Sequence, residues 1–393
     1  MKYIKIHFII ITAFLLIQSC AKDEVFPESN YYNSLSFPDS SSMHPKAAIY
    51  QEILDEFINN GGVGASILIR DQYGTWLGTG GYADIKSNIR LQPGNRFLIA
   101  STSKTFTAVA TFSYIEDGII SIDDPVNKWI NHSITDKIDN ANESTIKDLL
   151  GHTSSIRDIY NTDHLMEYMN RGYHSWTDED MLKFVYGKKA YSDVGKWQYS
   201  NINYILLGMI LEEATGLSLK EIYEQKIFNP LNLQSAYYDT GKGRLAPGTV
   251  KGYSDIYSNN TFIEAKEFYE DDIGVGGDGG ISINAQDLGK FMDELIAGHL
   301  IGQSSLDQMQ DWFEGGYSTD GLAGYGLYFE NGEYGEVIGH GGGIVGFEAG
   351  MEYFIDKDVT LIKLYNTDLI LCTDEYTDNL NQFSINLKKA IFN

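Results

Sequence analysis

The chain has 393 residues, 43% of them hydrophobic, so it can form a sizeable core in one large domain or two small ones. Its 54 acidic residues outnumber 29 basic ones, which gives a formal net charge of −25. A surface this acidic repels polyanions, so binding to nucleic acid or to anionic lipid headgroups is not expected. No C-x-x-C or H-E-x-x-H motif occurs, which argues against a zinc enzyme, and no cofactor is expected.

The N-terminus has the pattern of a secretory signal. Lys2 and Lys5 precede the apolar run FIIITAFLLI (8–17), and Cys20 follows shortly after it. A ten-residue run that is apolar apart from Thr12 is too short to span a bilayer but suits the central region of a signal peptide. A cysteine at this place resembles the lipobox of bacterial lipoproteins, which implies cleavage before Cys20 and acylation of its thiol. The alternative is a plain cleaved signal in which Cys20 is incidental.

The lipobox resemblance also implies a location. It predicts a protein anchored by lipid in the cell envelope of a Gram-negative bacterium, at the periplasmic face or the outer surface. The AKDE segment after the cysteine resembles the acidic tether of lipoproteins displayed on the outer surface of Bacteroidetes-type bacteria. If Cys20 is lipidated, no internal disulfide is possible, because Cys372 is the only other cysteine and is then expected to be a structural thiol.

Residues 20–45 are rich in Ser, Pro, Asn and Asp and have no apolar period, so they are predicted to be a flexible tether. The folded domain is predicted to cover residues 46–393. Its first part indicates an amphipathic helix at 47–60, then a two-stranded hairpin at 64–85. A buried helix is predicted at 105–117.

The middle of the chain is mostly helical in pattern, whereas strands return near its end. The later predicted elements are helices in 144–228, a helix at 285–298, strands at 324–332, 336–340, 346–355 and 359–366, and a helix at 379–392. This order predicts an α+β (mixed α/β) fold, in which an antiparallel sheet is built from both ends of the chain and flanked by helices. The sheet subdomain is expected at about 46–100 and 270–393, with a helical subdomain inserted at about 105–265.

Ser101 and Lys104, in the uncharged segment FLIASTSKTFTAVATF (97–112), form the first chemical candidate. Residues three apart on a helix share one face, and a lysine removed from water loses its proton more easily, so it can serve as the base for a serine hydroxyl. Spacing alone does not decide this, because Ser144 and Lys147 have the same spacing. There, the pattern indicates Ser144 or Thr145 as a helix cap and Lys147 as a surface residue.

Two further motifs carry polar groups in apolar surroundings. Tyr199-Ser200-Asn201 directly precedes an apolar helix, and its phenol and amide can relay a proton and hold a substrate; the alternative is a helix-entry turn capped by Asn201. His340 begins the segment HGGG, where glycines in a strand permit close approach of another backbone or a ligand. The alternative there is a glycine-rich turn with a surface histidine.

Taken in order, STSK (101–104), YSN (199–201) and HGG (340–342) resemble the three motifs of the serine β-lactamase and penicillin-binding protein family. The connecting text resembles the branch of class C β-lactamases, D-alanyl-D-alanine carboxypeptidases and related esterases, over roughly residues 46–390. The resemblance implies the β-lactamase-like fold, with the site in the cleft between the sheet and the helical subdomain. It implies an acyl-enzyme serine hydrolase that acts on a peptide, β-lactam or ester.

The resemblance also assigns roles. It implies Ser101 as nucleophile, Lys104 as its activating partner and Tyr199 as base or proton relay. Substrate binding would fall to a set of four residues: Asn201, His340, Gly342 and Gly343. Within it, the N–H of Gly343 would form the oxyanion hole together with that of Ser101.

Residue 340 departs from the family pattern. β-Lactamases of this branch usually have lysine there, whereas a histidine is mostly neutral at pH 7. His340 therefore favours a D-alanyl-D-alanine carboxypeptidase-like peptidase or an esterase/amidase over an efficient β-lactamase. No Arg or Lys lies within 341–350, so Arg157 is the candidate for binding a substrate carboxylate. A penicillin-binding sensor without turnover is the alternative from another class.

Overall fold

A computed structural model describes residues 43–159, 176–238, 245–266, 276–315 and 321–393. Cys20, the signal and most of the tether therefore lie outside the described residues. The helices are α1 (Ala47–Asn59), α2 (Ser103–Glu116), α3 (His132–Thr135), α4 (Ile146–Leu150), α5 (Asp178–Lys183), α6 (Asn201–Thr215), α7 (Leu219–Tyr223), α8 (Ala285–Ile296), α9 (Gln303–Met309) and α10 (Asp374–Phe392).

The strands lie in one large sheet and two small ones. They are β1 (Gly64–Asp71), β2 (Gly74–Asp84), β3 (Ile89–Arg90), β4 (Phe97–Leu98), β5 (Tyr237–Tyr238), β6 (Tyr253–Ser254), β7 (Ile263–Glu264), β8 (Ile281–Ile283), β9 (Phe313–Glu314), β10 (Leu322–Ala323), β11 (Tyr328–Gly332), β12 (Gly335–Ile344), β13 (Phe347–Phe354) and β14 (Val359–Tyr365).

The large sheet joins the two ends of the chain. Its nine strands run in the order β3-β2-β1-β14-β13-β12-β11-β10-β9 and pair antiparallel throughout. The β1–β14 pair, from Ala65↔Tyr365 to Arg70↔Thr360, connects the N-terminal hairpin to the C-terminal strands. Most of the described helices lie between these two groups of strands in the chain. The predicted antiparallel sheet with an inserted, mostly helical part is confirmed.

One face of the sheet is covered by the first and last helices. Tyr50, Leu54 and Phe57 repeat at helical spacing on α1 and are buried against the apolar side of α10 and the sheet. The last helix begins at Asp374, five residues before the predicted start. The Thr373 side chain accepts a hydrogen bond from the Tyr376 N–H and so caps a polar first turn that the apolar pattern does not mark.

The opposite face packs against α2 and α8. Eleven side chains of α2 are buried, including Lys104, and Phe106 stacks on Phe291 of α8 with ring centroids 3.7 Å apart. Helix α2 therefore has no solvent face over most of its length. Within the described part of the chain, no single helix has both the length and the apolar composition of a membrane span; Asn201–Thr215 and Leu219–Phe228 have them only together, across an 83° bend.

Candidate active site

Ser101 lies where the chain leaves the short strand β4 and enters α2. It is the middle residue of a 3₁₀ turn, Ala100–Thr102, that leads directly into the helix. Ala100 has φ = +44°, in the left-handed region that residues with a side chain rarely adopt. Strained backbone of this kind persists only where the surroundings hold it, and it is common at catalytic residues. Here it orients the serine that the sequence predicted to be the nucleophile.

Lys104 is fully buried, and its ammonium nitrogen has three oxygen neighbours. Lys104 Nζ lies 3.1 Å from Ser101 Oγ, 2.7 Å from Asn201 Oδ1 and 2.8 Å from the Asp278 carbonyl oxygen. The amide and carbonyl oxygens can only accept hydrogen bonds. An uncharged amine would therefore donate two hydrogens to them and direct its lone pair at the serine hydroxyl. This geometry suits a base for Ser101.

Tyr199 contacts the same hydroxyl from another side. Its phenol donates to Ser101 Oγ over 2.9 Å, and Lys104 Nζ lies 5.3 Å from its ring centroid. The His152 ring packs against the Tyr199 ring, with the ring centroids 4.4 Å apart. Ser101 thus has two groups within hydrogen-bond distance that can exchange a proton with it, which is the arrangement expected of an activated nucleophile.

Asn201 holds Lys104 in place. Its Oδ1 accepts from Lys104 Nζ, while its backbone N–H (2.8 Å) and its Nδ2 (3.2 Å) donate to the Asp158 carboxylate. The alternative role of Asn201 as a helix cap is wrong, because the N-cap of α6 is Ser200 and has no side-chain cap bond. The predicted contact of Asn201 with substrate remains a prediction.

Two acids of the site were missed by the sequence reasoning. Burial raises the pKa of Asp158, and hydrogen bonds from Asn201 oppose the rise. Burial likewise raises the pKa of Asp278 to about 6, opposed by the charge of Lys104. Asp278 lies in the glycine-rich segment GVGGDGG (274–280), where an acid among small residues was the available signal, whereas Asp158, between Arg157 and Ile159, has no such signal. They place negative charge around the buried lysine.

His152 was also missed. Its Nδ1 accepts hydrogen bonds from the Ser200 N–H (3.3 Å) and from Asn203 Nδ2 (3.2 Å), so the ring is neutral with its proton on Nε2. Burial, followed by the charges of Lys104 and His340, lowers its pKa well below the usual value. A neutral ring packed on Tyr199 therefore supports the phenol without adding charge.

His340 lies inside strand β12, which continues through the glycines to Ile344. Its exposed fraction is 4%, and Nδ1 donates to the Gly341 carbonyl over 2.6 Å. Burial, with a smaller contribution from the charge of Lys104, lowers its pKa to about 3. The alternative of a turn with a surface histidine is therefore wrong. The wall of the site at this position is neutral.

Gly342 lets β12 approach the nucleophile. A Cβ at this position would lie 2.3 Å from the Ile99 carbonyl oxygen and 2.7 Å from the nitrogen of Ser101. Any side chain would push the strand away from the 3₁₀ turn. The glycine thus brings the backbone before Gly343 against the backbone of Ser101, as the predicted oxyanion hole requires.

Lys147 and Arg157, two further basic residues named in the sequence analysis, lie outside the Ser101–Lys104–Tyr199 cluster. Lys147 is exposed, and Thr145 caps α4 in a capping box with Asp148, as the pattern predicted. The Arg157 side chain donates to the Lys189 carbonyl over 3.0 Å and lies over the Tyr191 ring. Its binding of a substrate carboxylate remains a prediction.

Comparisons with known proteins agree with this arrangement. The family model described as "Beta-lactamase" matches residues 50–371. The chain belongs to the beta-lactamase family. Penicillin-binding protein 4* of Bacillus subtilis strain 168 is 28% identical over 311 residues, covering 73% of this chain and 64% of that protein. The PbpX penicillin-binding protein of the same organism is matched over 59% of its length, so the chain spans less than two thirds of these relatives.

Two solved structures share the fold of this chain. A D-stereospecific amidohydrolase from Streptomyces sp. is 26% identical, with a TM-score of 0.72 over 82% of this chain and 94% of that one. The D-amino acid amidase of Ochrobactrum anthropi SV3, complexed with L-phenylalanine amide, is 24% identical, with a TM-score of 0.76 over 88% and 97%. The predicted beta-lactamase-like fold is confirmed.

The close approach at Gly342 gives a first prediction. Gly342→Ala should slow acylation of Ser101 by a penicillin and lower the free energy of unfolding by about 1–3 kcal/mol, because the added methyl overlaps the Ile99 carbonyl. The control is Gly341→Ala, whose Cβ would meet only the Ala349 carbonyl, at 3.7 Å. Urea unfolding and intact-mass kinetics measure both effects. Equal behaviour of the two variants would contradict the assigned packing.

The buried neutral His340 gives a second prediction. Its pKa is about 3 in the folded protein and 6.5 ordinarily, so between these values the unfolded chain binds more protons and stability falls as the pH falls. His340→Gln should reduce the slope of unfolding free energy against pH by up to about 1.4 kcal/mol per unit in this window. His132→Gln, at an exposed position, is the control. An unchanged slope in His340→Gln would refute the buried neutral state.

Proposed function

We propose that the chain is a serine hydrolase that works through an acyl-enzyme on Ser101 and acts on a D-amino-acyl amide, ester or peptide. The observation that carries this proposal is the contact of one serine oxygen with both Lys104 Nζ (3.1 Å) and the Tyr199 hydroxyl (2.9 Å). Family membership supports the same chemistry. The named activities of the penicillin-binding and amidase relatives support an acyl-transfer reaction.

The proposed reaction has two halves. Lys104 and Tyr199 take the proton of Ser101 as its oxygen attacks the substrate carbonyl carbon. The oxyanion accepts hydrogen bonds from the N–H groups of Ser101 and Gly343. Tyr199 returns the proton to the leaving amine or alcohol as its bond to carbon breaks, which leaves an ester on Ser101. Water deprotonated by the same pair then hydrolyses the ester and restores the serine.

The neutral wall at His340 favours some substrates over others. A fixed cation there would attract a substrate carboxylate, whereas a histidine whose pKa is about 3 has no charge at neutral pH. Amides and esters without a carboxylate beside the scissile bond are therefore favoured over β-lactams. A D-alanyl-D-alanine carboxypeptidase-like activity is the second candidate, because relatives are named as penicillin-binding proteins.

Replacement of the two hydroxyl groups tests the mechanism. Ser101→Ala should abolish both the mass adduct formed with a penicillin and the turnover of acyl esters and D-amino-acyl amides. Tyr199→Phe should keep the serine but lower kcat by about 10²–10⁴-fold, the usual loss of a general acid or base. The readouts are intact mass and steady-state rates with a chromogenic cephalosporin, a short acyl ester and a D-Ala-D-Ala peptide in parallel.

Tyr257→Phe is the matched control for Tyr199→Phe, because Tyr257 begins the second YSN triplet and is 71% exposed. It should keep wild-type rates. A stable penicillin adduct without turnover of any substrate would support the sensor instead. Turnover that persists in Ser101→Ala would refute the acyl-enzyme mechanism, and efficient cephalosporin hydrolysis would favour the β-lactamase.

We also propose that Cys20 carries a lipid anchor that holds the protein in the cell envelope. The support is the order of Lys2, Lys5, the apolar run 8–17 and the cysteine. A lipid chain binds a membrane without spanning it.

Expression in a Gram-negative host with labelled palmitate tests the anchor. The wild-type chain should incorporate the label and sediment with membranes, whereas Cys20→Ala should do neither. Cys372→Ala, which changes the other cysteine, should behave like the wild type. A wild-type chain that incorporates no label would favour the plain cleaved signal.

A further inference from the structure

Glu348 stands beside the proposed oxyanion hole on the neighbouring strand. Strands β12 and β13 pair so that Glu348 is directly opposite Gly343. Side chains of paired residues lie on the same face of a sheet. A Cβ at Gly343 would come within 2.8 Å of Glu348 Oε2. The carboxyl group of Glu348 thus fills the space that a side chain of residue 343 would otherwise take, and Gly343 itself is exposed.

This carboxyl group makes no hydrogen bond or ion pair with the other residues that the structure describes. The nearest candidate cation, Lys363, is bound to Glu352 instead. Glu352 also pairs with Lys388, at 3.1 Å. The ammonium group of Lys363 is therefore engaged with Glu352.

A second acid, Asp368, lies close enough to Glu348 to act on its charge. Asp368 accepts three backbone hydrogen bonds, from Gly346 (2.7 Å), Ile370 (2.8 Å) and Leu371 (2.6 Å). Burial, followed by Asp368, raises the pKa of Glu348 to about 8, and Lys363 opposes the rise. A cation brought next to Glu348 would stabilise its ionised form and lower this pKa again, whereas a second carboxylate would raise the pKa further.

Resting on the proposed function, we infer that Glu348 binds the ammonium group of substrates that carry a free amine on the carbon next to the scissile carbonyl. The carbonyl oxygen of such a substrate sits at the Gly343 N–H, and its amine is attached one carbon away. The Glu348 carboxylate over Gly343 can then accept a charge-assisted hydrogen bond from the amine. Glu348 is thus a specificity-determining residue for amino-acid amides and esters.

The test compares D-phenylalanine amide with its N-acetyl derivative, which has no positive charge. Wild type should prefer the free amine, and Glu348→Gln should lower the ratio of the two kcat/KM values by about tenfold or more, mainly through KM, as expected for one charge-assisted hydrogen bond. Glu348→Asp should retain part of the preference. The control is Glu333→Gln, which removes one charge from an exposed turn and should keep the wild-type ratio.

A measurement on wild type alone covers the case of a variant that does not fold. 3-Phenylpropanamide is the same amide without the amine. Its Ki as an inhibitor should be at least about tenfold higher than that of D-phenylalanine amide. Three outcomes would overturn this inference alone. They are an unchanged ratio in Glu348→Gln, a wild-type preference for the N-acetyl amide, and no turnover of either amide by an enzyme that penicillin still acylates. Loss of Ser101 acylation and of all turnover would overturn the proposed function as well.

Discussion

The burial of the Lys104 side chain is the constraint on which the rest of the site depends. An ammonium group without water is costly unless oxygen atoms surround it, and here they come from three parts of the chain: Ser101, Asn201 and Asp278. Bringing them together requires α2 to pack between the sheet and the helical segment that contains α6. The geometry of the proposed active site therefore depends on the packing of the two parts of the molecule, because neither part can move away without leaving the lysine unpaired.

The second requirement is close contact between β12 and the start of α2. Gly342 allows the strand to reach the 3₁₀ turn, and the strained Ala100 turns Ser101 toward it. The strand is held in position by its pairing with β13, which is itself paired with β14 near the middle of the sheet. The nine-stranded sheet, built from both chain ends, is thus the rigid support that places the N–H group of Gly343 beside that of Ser101.

Charge around the cleft follows a consistent pattern. Burial keeps His340 and His152 neutral, so neither adds a cation beside Lys104. Beside Gly343, Glu348 and Asp368 form an acidic corner while Lys363 is engaged with Glu352. Such a cleft would disfavour a substrate carboxylate and favour a substrate amine. This charge distribution, more than the proposed catalytic residues, separates the proposed amidase or esterase from a β-lactamase.

The sequence by itself determined the family, the antiparallel fold and the nucleophile candidate, because the order of STSK, YSN and HGG and the apolar periods are local features of the chain. It could not distinguish Ser101–Lys104 from Ser144–Lys147 by spacing, and it missed His152, Asp158 and Asp278. Only the tertiary structure decided these points, since burial and the distance between residues remote in the chain depend on packing. The same holds for Glu348, whose position opposite Gly343 exists only once β12 and β13 are paired.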